Sequence, residues 1–252
     1  MATLNGKFYR GAVGNTVLKK YRGKQMLAIK PHISKDKMSA GSKKAAKTFG
    51  KASTLAGYIR RSLLDNVITH NYDGTMIYRF NTEILHALNT SKNPQDQSYE
   101  FAADAFDHLS GFEFNVNSPM RYQFFVKPEI TLTETLLQVA LPEFTVPEQV
   151  KFSKNIEHCK LFIMTTMVDL QQDRVRTCEP QLLEIDYSYP SKTNPAHTFE
   201  FEVLPGKLCI VAFSLQYYED TFAGPFYVNS KEFNPAAVLY ARIAPGEARS
   251  SS

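Results

Sequence analysis

The chain contains no tryptophan, and its three cysteines, Cys159, Cys178 and Cys209, include no C-x-x-C pair. An odd number of cysteines at such spacings predicts neither a disulfide framework nor a zinc site. The sequence has no apolar run near the length of a membrane span, about 18 residues, and it begins without the apolar core of a signal peptide. We therefore expect a protein without a membrane span that is made in the cytoplasm.

Sequence motifs of common enzymes are also missing. The chain has no G-x-x-x-x-G-K-[ST], G-x-G-x-x-G or G-x-S-x-G, and its six histidines form no H-x-x-x-H pair. Two pairs of acidic residues alternate along predicted strands, as on the solvent side of a sheet, namely Glu184 with Asp186 and Glu200 with Glu202. We therefore predict a protein that is not an enzyme, with no catalytic residue, no metal site and no cofactor.

Negative charge is almost absent from the first quarter of the chain. Residues 1–61 contain 15 lysines and arginines and a single acid, Asp36, which gives a net charge of +14. The remaining residues have a net charge of −10. Such segregation favours contact between the first part and a polyanion or an acidic surface of another subunit, although a solvated basic surface without a partner would have the same composition.

The first 33 residues have the pattern of a β-hairpin or a pair of extended segments. Four residues are predicted to form backbone turns: Gly11, Gly14, Asn15 and Gly23. Aromatic and basic residues alternate around these turns, and we predict a partner- or phosphate-binding set of Lys7, Tyr9, Arg10, Lys19, Lys20, Tyr21, Arg22 and Lys24. This composition fits a platform for single-stranded nucleic acid and fits equally an extended arm that docks on an acidic neighbour.

A helical period follows, and it predicts three helices before residue 112. The first has Ser42 as its N-cap and an apolar stripe of Ala45, Phe49, Ala52, Ala56, Ile59 and Leu63. The second begins after Thr75 and ends at Asn93-Pro94. The third covers about Ser98 to Ser110, with Gly111 as its C-terminal signal.

Beyond residue 112 the period becomes two, which is typical of strands. The predicted strands are Phe112–Val116, Tyr122–Val126, Glu129–Leu132, Leu136–Ala140, Cys159–Leu170, Leu182–Tyr187, Thr198–Val203, Lys207–Tyr218 and Ala237–Ile243. Short strands without helices predict a β-sandwich, Ig-like or jelly-roll-like, so the fold class is α+β. The predicted regions are a basic hairpin arm and linker (1–41), a helical region (42–111), a β-sandwich domain (112–245) and a disordered tail (246–252).

The opening of the chain resembles a family of uncharacterised bacterial and phage-borne proteins, known mainly as a domain of unknown function. The resemblance lies in Gly11, Gly14-Asn15, Val17, Gly23-Lys24 and Pro31, followed by a small-residue helix and a β-rich remainder. Met38-Ser39-Ala40-Gly41 replaces the family's proline-containing helix start, and Tyr21 stands where many members have another large residue. The resemblance implies a β-sandwich after a basic segment and a multicopy structural role, with no catalytic residues to transfer.

These observations predict a structural or assembly subunit, of the virion, tail or filament type, that contacts neighbouring subunits through its basic arm. The expected partners are further copies of the chain or other subunits, and a virion or similar assembly is the candidate final location. The alternative is a nucleic-acid-binding protein that grips phosphates through residues 1–61.

Overall fold

The computed structural model describes residues 2–21, 23–30, 38–64, 72–152 and 156–246. These divide into two compact units, Met1–Lys47 and Thr48–Ser252. The predicted binding residue Arg22, most of the predicted linker and all but Gly246 of the predicted tail lie outside the described residues. Among the residues that are described, no helix is both long and apolar enough to cross a membrane.

The first unit contains a four-stranded antiparallel sheet in sequence order, which we call the N-terminal sheet. Its strands are β1 (Thr3–Asn5), β2 (Phe8–Val13), β3 (Thr16–Tyr21) and β4 (Lys24–Ile29). Gly14 and Gly23 have positive φ angles of 57° and 78° at the two tight turns, which a side chain would oppose. The predicted hairpin is thus part of a larger meander.

Helix α1 (Ala40–Leu63) begins in the first unit and ends in the second, and α2 (Met76–Thr90) follows. The helix starts two residues before the predicted N-cap Ser42, whose backbone N–H donates to the Ser39 hydroxyl at 3.1 Å. The predicted apolar stripe is partly wrong, because Phe49 is exposed whereas Leu55 is buried. Ala52, Ala56, Ile59 and Leu63 are buried as expected.

The predicted third helix is wrong. Within 98–110 the structure has turns and a 3₁₀ helix over Asp107–Leu109, with i to i+3 hydrogen bonds such as Leu109 N–H to Phe106 O. Contacts with the strand Ala236–Ile243 stabilise this non-helical conformation. The Ile243 N–H donates to Ala103 O, and the Nε and Nη2 atoms of Arg242 donate to the Asp107 carboxylate. Phe106 and Leu109 are nevertheless buried in the core. Their separation of three residues is also that of two residues on one face of an α-helix, which is why the sequence predicted one.

The rest of the second unit is β-rich, and its strands are β5 (Glu129–Leu132), β6 (Leu136–Leu141), β7 (Phe144–Val146), β8 (His158–Asp169), β9 (Arg174–Thr177), β10 (Gln181–Asp186), β11 (Lys192–Asn194), β12 (His197–Glu202), β13 (Leu208–Thr221), β14 (Gly224–Tyr227) and β15 (Ala236–Ile243). The α+β prediction is confirmed. Phe112–Val116 and Tyr122–Val126 are not strands and contribute only isolated bridges, Glu113 to Ala237 and Phe124 to Val150. A 3₁₀ helix occupies Met120–Tyr122.

The second unit has three layers around a six-stranded sheet in which β8 and β13 are central. Strand β10 pairs with the first half of β8 and β9 with its end, whereas β15 and β14 pair with successive parts of β13. Helices α1 and α2 cover one face of this sheet. There Ile59 of α1 and Phe80 of α2 share a hydrophobic core with Met164 of β8 and Ile210 of β13. Sheets β12-β6-β5 and β11-β7 cover the other face. The predicted β-sandwich agrees with these two β layers, and the Ig-like or jelly-roll-like assignment stays a prediction.

Candidate functional site

The predicted binding residues all lie on the N-terminal sheet, with the exception of Arg22, which is not described. Lys7 is in the β1–β2 turn, Tyr9 and Arg10 are in β2, Lys19, Lys20 and Tyr21 are in β3, and Lys24 begins β4. All seven side chains are exposed. The structure therefore brings the sequence-predicted set together on one small sheet.

The predicted turn residues have distinct roles in the backbone. Gly14 and Asn15 form the β2–β3 turn, where the Lys30 N–H donates to Asn15 O at 2.8 Å, and Gly23 lies between β3 and β4. The prediction of a turn at Gly11 is wrong: this residue is in the middle of β2, with φ 124°, a conformation that strongly favours glycine. It lies where β2 begins to pair with β3, opposite Leu18.

Strand register separates two kinds of side chain on the N-terminal sheet. Val13, Thr16 and Ile29 form one cross-strand row, and Leu18 with Leu27 belongs to the next row on the same face. We call Val13, Leu18, Leu27 and Ile29 the aliphatic patch. Ile29 is 77% exposed and Leu27 is 65% exposed, so the patch has little cover.

The opposite face of the same strands is basic. Lys19 lies opposite Met26, and Tyr21 lies opposite Lys24. Lys20 is on the aliphatic side, where its ammonium group lies 4.8 Å from the centre of the Phe8 ring. The aliphatic patch therefore lies on the face opposite Lys19 and Lys24, and one lysine, Lys20, shares its side.

Gln25 joins β2 to β4, a role that sequence reasoning missed. Its side-chain amide accepts a hydrogen bond from the Tyr9 N–H at 2.7 Å and donates to Tyr9 O at 3.0 Å. Tyr9 precedes the part of β2 that pairs with β3. The Gln25 amide therefore makes the hydrogen bonds to the Tyr9 backbone that a neighbouring strand would otherwise make. No sequence signal distinguishes this glutamine from an exposed one.

A second surface lies on the six-stranded sheet, beyond the part that the helices cover. Asp186 of β10, His158 of β8, Tyr218 of β13 and Tyr227 of β14 form one cross-strand row. Glu184 and Asp220 lie two residues along β10 and β13 on the same face. We call these six residues the acidic aromatic face.

Contacts on the acidic aromatic face centre on His158. Its Nδ1 atom donates to the Asp186 carboxylate at 2.8 Å, its Nε2 lies 3.7 Å from Asp220, and its ring stacks on Tyr218 with centroids 5.3 Å apart. The hydrogen bond to Asp186 raises the pKa of the His158 imidazole above 6.5, although partial burial opposes the shift. Lys160 pairs with Glu184 at 3.0 Å.

The sequence predicted only part of the acidic aromatic face. Glu184 and Asp186 are exposed on one side of β10, as their alternation predicted. His158, Tyr218 and Tyr227 come from other strands, and β14 was not predicted at all. Only the pairing of β13 with both β8 and β14 brings these side chains into one row.

The three cysteines are free in the structure, and two of them, Cys159 and Cys209, are buried. Burial raises the pKa of the Cys209 thiol to about 12 and raises that of Cys159 further. Such thiols are packing residues of the second core. Among the described residues, no three His, Cys, Asp or Glu side chains come together as metal ligands.

Comparison with protein-family models, with curated proteins and with solved structures finds no match to this chain. The functional argument therefore depends on the geometry of the two surfaces.

Proposed function

We propose that this protein is a non-catalytic assembly subunit whose N-terminal sheet contacts a neighbouring protein subunit. The aliphatic patch is the observation that supports this most directly. A small sheet is stable when a hydrophobic face is packed, and each fully buried Leu or Ile side chain contributes about 1.5–3 kcal/mol. Leu27 and Ile29 are exposed, so a partner that covers them would supply that contribution.

Strand β4 adds a second argument for a protein partner. It forms one edge of the N-terminal sheet, and its residues after Lys24 are uncharged (Gln25, Met26, Leu27, Ala28 and Ile29). Edge strands that avoid pairing usually carry charges or proline, because open backbone groups otherwise accept another strand. An uncharged, apolar edge strand is well suited to pairing with another subunit.

Nucleic acid binding is the second candidate. Exposed Tyr9 and Tyr21 beside Arg10, Lys19 and Lys24 support it, because single-stranded nucleic acids are bound by stacking together with phosphate contact. It ranks second, because contact with phosphates and sugars would not bury the aliphatic patch. A virion, tail or filament as the site of assembly follows from the family resemblance and belongs to this proposal.

The test is light scattering coupled to size exclusion on the full-length protein, with absorbance at 260 and 280 nm recorded across each peak. We expect the wild type to form particles well above the 28.6 kDa chain mass. Leu27→Thr with Ile29→Thr should move the mass towards that of one chain, because threonine keeps the strand propensity but removes apolar surface.

Leu204→Thr is the matched control, since Leu204 is a 45% exposed leucine in the second unit. It should leave the particle mass unchanged. Particles that keep their size when the aliphatic patch is polar would contradict the proposal. A wild-type peak rich in nucleic acid that shrinks after nuclease treatment would favour the second candidate.

A further inference from the structure

Charge decides which surface can receive the N-terminal sheet. The unit Met1–Lys47 contains 12 basic residues and one acid, a net charge of +11, whereas Thr48–Ser252 contains 17 basic and 24 acidic residues, a net charge of −7. Two N-terminal sheets would therefore repel each other. An acceptor with negative charge is needed, and the second unit of another copy has it.

The acidic aromatic face has the local chemistry that such an acceptor requires. The side chains of Asp186 and Asp220 are 70% and 69% exposed, so both carboxylates are accessible to lysine and arginine. Tyr227 is 45% exposed and lies beside them in the cross-strand row. The β13–β14 turn next to it carries Phe222, which is fully exposed. Carboxylates and aromatic rings thus lie side by side, and they match the face of the N-terminal sheet on which Lys19 and Lys24 lie with Tyr21 and Met26.

The strand arrangement at this face also allows backbone pairing. Where β8 and β13 bear His158 and Tyr218, the six-stranded sheet ends at β10 on one side and at β14 on the other. Both are edge strands in the described structure. A β4 strand from another copy would extend either edge by strand addition, with Lys24 near the carboxylates of β10 or β13.

Another exposed pair of carboxylates differs from the acidic aromatic face in the side chains beside it. Glu200 and Glu202 lie on β12, but the Gln138 amide binds Glu200 at 3.1 Å and Arg176 lines the same groove as Glu202. That groove has Leu136 and Leu204 in place of aromatic rings. The pair therefore serves as an internal comparison with equal formal charge.

We propose that the acidic aromatic face of one copy receives the N-terminal sheet of a second copy. This assignment rests on the proposed function, since it names the surface that the assembly contact uses. The two surfaces differ, so the contact is head-to-tail, and repetition of such a contact gives a closed ring or an open filament.

The experiment uses two full-length charge-reversal variants and their mixture. The arm variant is Lys19→Glu with Lys24→Glu, and the face variant is Glu184→Lys with Asp186→Lys. Each alone should lose assembly, with affinity reduced at least about tenfold by like-charge contact. Mixed in equal amounts, they should associate again, because each variant supplies one intact surface and the two reversed surfaces are complementary in charge.

Controls carry the same charge changes elsewhere. Lys192→Glu with Lys231→Glu matches the arm variant, and Glu200→Lys with Glu202→Lys matches the face variant, since all four residues are exposed in the second unit. Both should assemble like the wild type. A milder face variant, Asp186→Asn with Asp220→Asn, should weaken assembly without adding positive charge, and circular dichroism checks that each variant is folded.

The outcomes separate this assignment from the function on which it rests. A wild type that stays one chain at every concentration would overturn both. Normal assembly of the arm variant would overturn the acceptor assignment alone, because Lys19 and Lys24 lie on the face opposite the aliphatic patch. Loss of assembly in the arm variant but not in the face variants would keep the proposed function and overturn the acceptor assignment. A mixture of the arm and face variants that fails to associate would also overturn it. Association that requires nucleic acid would overturn the contact between copies.

Discussion

The two units of this protein are built from the same antiparallel pairing, but among the described residues only the second unit has a buried core. In Thr48–Ser252 the central strands β8 and β13 bury side chains on both faces, against helices on one side and a second β layer on the other. In Met1–Lys47, β3 and β4 pair in full register yet leave Leu27 and Ile29 exposed. Hydrogen-bond register and turns can thus define a sheet without a packed face, and the unpacked face is where we propose that a partner binds.

Hydrogen exchange on the full-length protein should show the largest difference between the units. Backbone amides of β3 and β4 should exchange on the order of 10³-fold faster than those of β8 and β13, because local opening of the first sheet exposes little additional apolar surface. Mass spectrometry of peptides from each strand measures this. Equal protection in dilute monomer would show that the N-terminal sheet is stabilised by contacts within the chain.

Truncation of one apolar residue in each unit should differ by several kcal/mol. Phe213→Ala removes a fully buried ring from the second core and should lower the free energy of unfolding by about 3–5 kcal/mol. Ile29→Ala removes a 77% exposed side chain and should change it by about 0.5 kcal/mol or less. Urea unfolding of dilute protein provides both values. If Ile29→Ala lowered the free energy of unfolding by several kcal/mol, Ile29 would be packed within the chain and the contrast between the two units would be wrong.

Substitution of the buried Asp73 should lower the free energy of unfolding less than substitution of Phe213 does. It should lower it more than substitution of any charged residue on the N-terminal sheet. Burial alone would raise the pKa of Asp73, but hydrogen bonds from Thr75, the Val116 N–H and Arg79 lower it to about 2. Asp73→Asn should cost about 2 kcal/mol near neutral pH.

The pH dependence of the Asp73 variant follows from the same shift. Because the folded pKa lies below the unfolded one, the ionised carboxylate stabilises the fold above about pH 4 and loses this effect as pH falls towards 2. The difference between wild type and Asp73→Asn should therefore shrink on acidification. Asp96→Asn, at an exposed carboxylate that also binds a backbone N–H, is the control and should be nearly neutral.

The smallest effect is expected at His158. Its pKa is raised in the folded state, so the protonated imidazole stabilises the fold below pH 6.5, and this contribution is lost as pH rises through the higher folded pKa. Solvent screening at this partly exposed pair limits the effect to a few tenths of a kcal/mol. NMR titration should find a pKa above 6.5 that falls in Asp186→Asn. A pKa unaffected by that substitution would remove Asp186 as the cause.

Local patterns predicted much of the fold. Period-two alternation located β5, β6, β8, β10, β12, β13 and β15 within a few residues. Four short strands, β7, β9, β11 and β14, were not predicted. Each has only three or four residues and so carries little periodicity, although the equally short β5 was located. The third helix failed because the apolar spacing of Phe106 and Leu109 also fits a 3₁₀ turn, and contacts to β15 decided between them.

The candidate site was predictable in composition but not in arrangement. Lys19, Lys20, Tyr21 and Lys24 could be selected from charge and aromatic content, since both are local properties of the sequence. That Lys19 lies opposite Met26, behind the aliphatic patch, depends on the register of β3 and β4. The hydrogen bonds of Gln25 to the Tyr9 backbone depend on the point at which β2 stops pairing with β3.

The sequence by itself determined the segregation of charge, the glycine turns of the N-terminal sheet and the period of the main strands and of α1 and α2. These follow from side-chain chemistry and local backbone sterics. Only the tertiary structure decided that α1 and α2 cover one part of the six-stranded sheet and leave His158, Asp186 and Tyr218 together on the rest. Residues far apart in the chain meet there, and their meeting depends on the packing of whole layers.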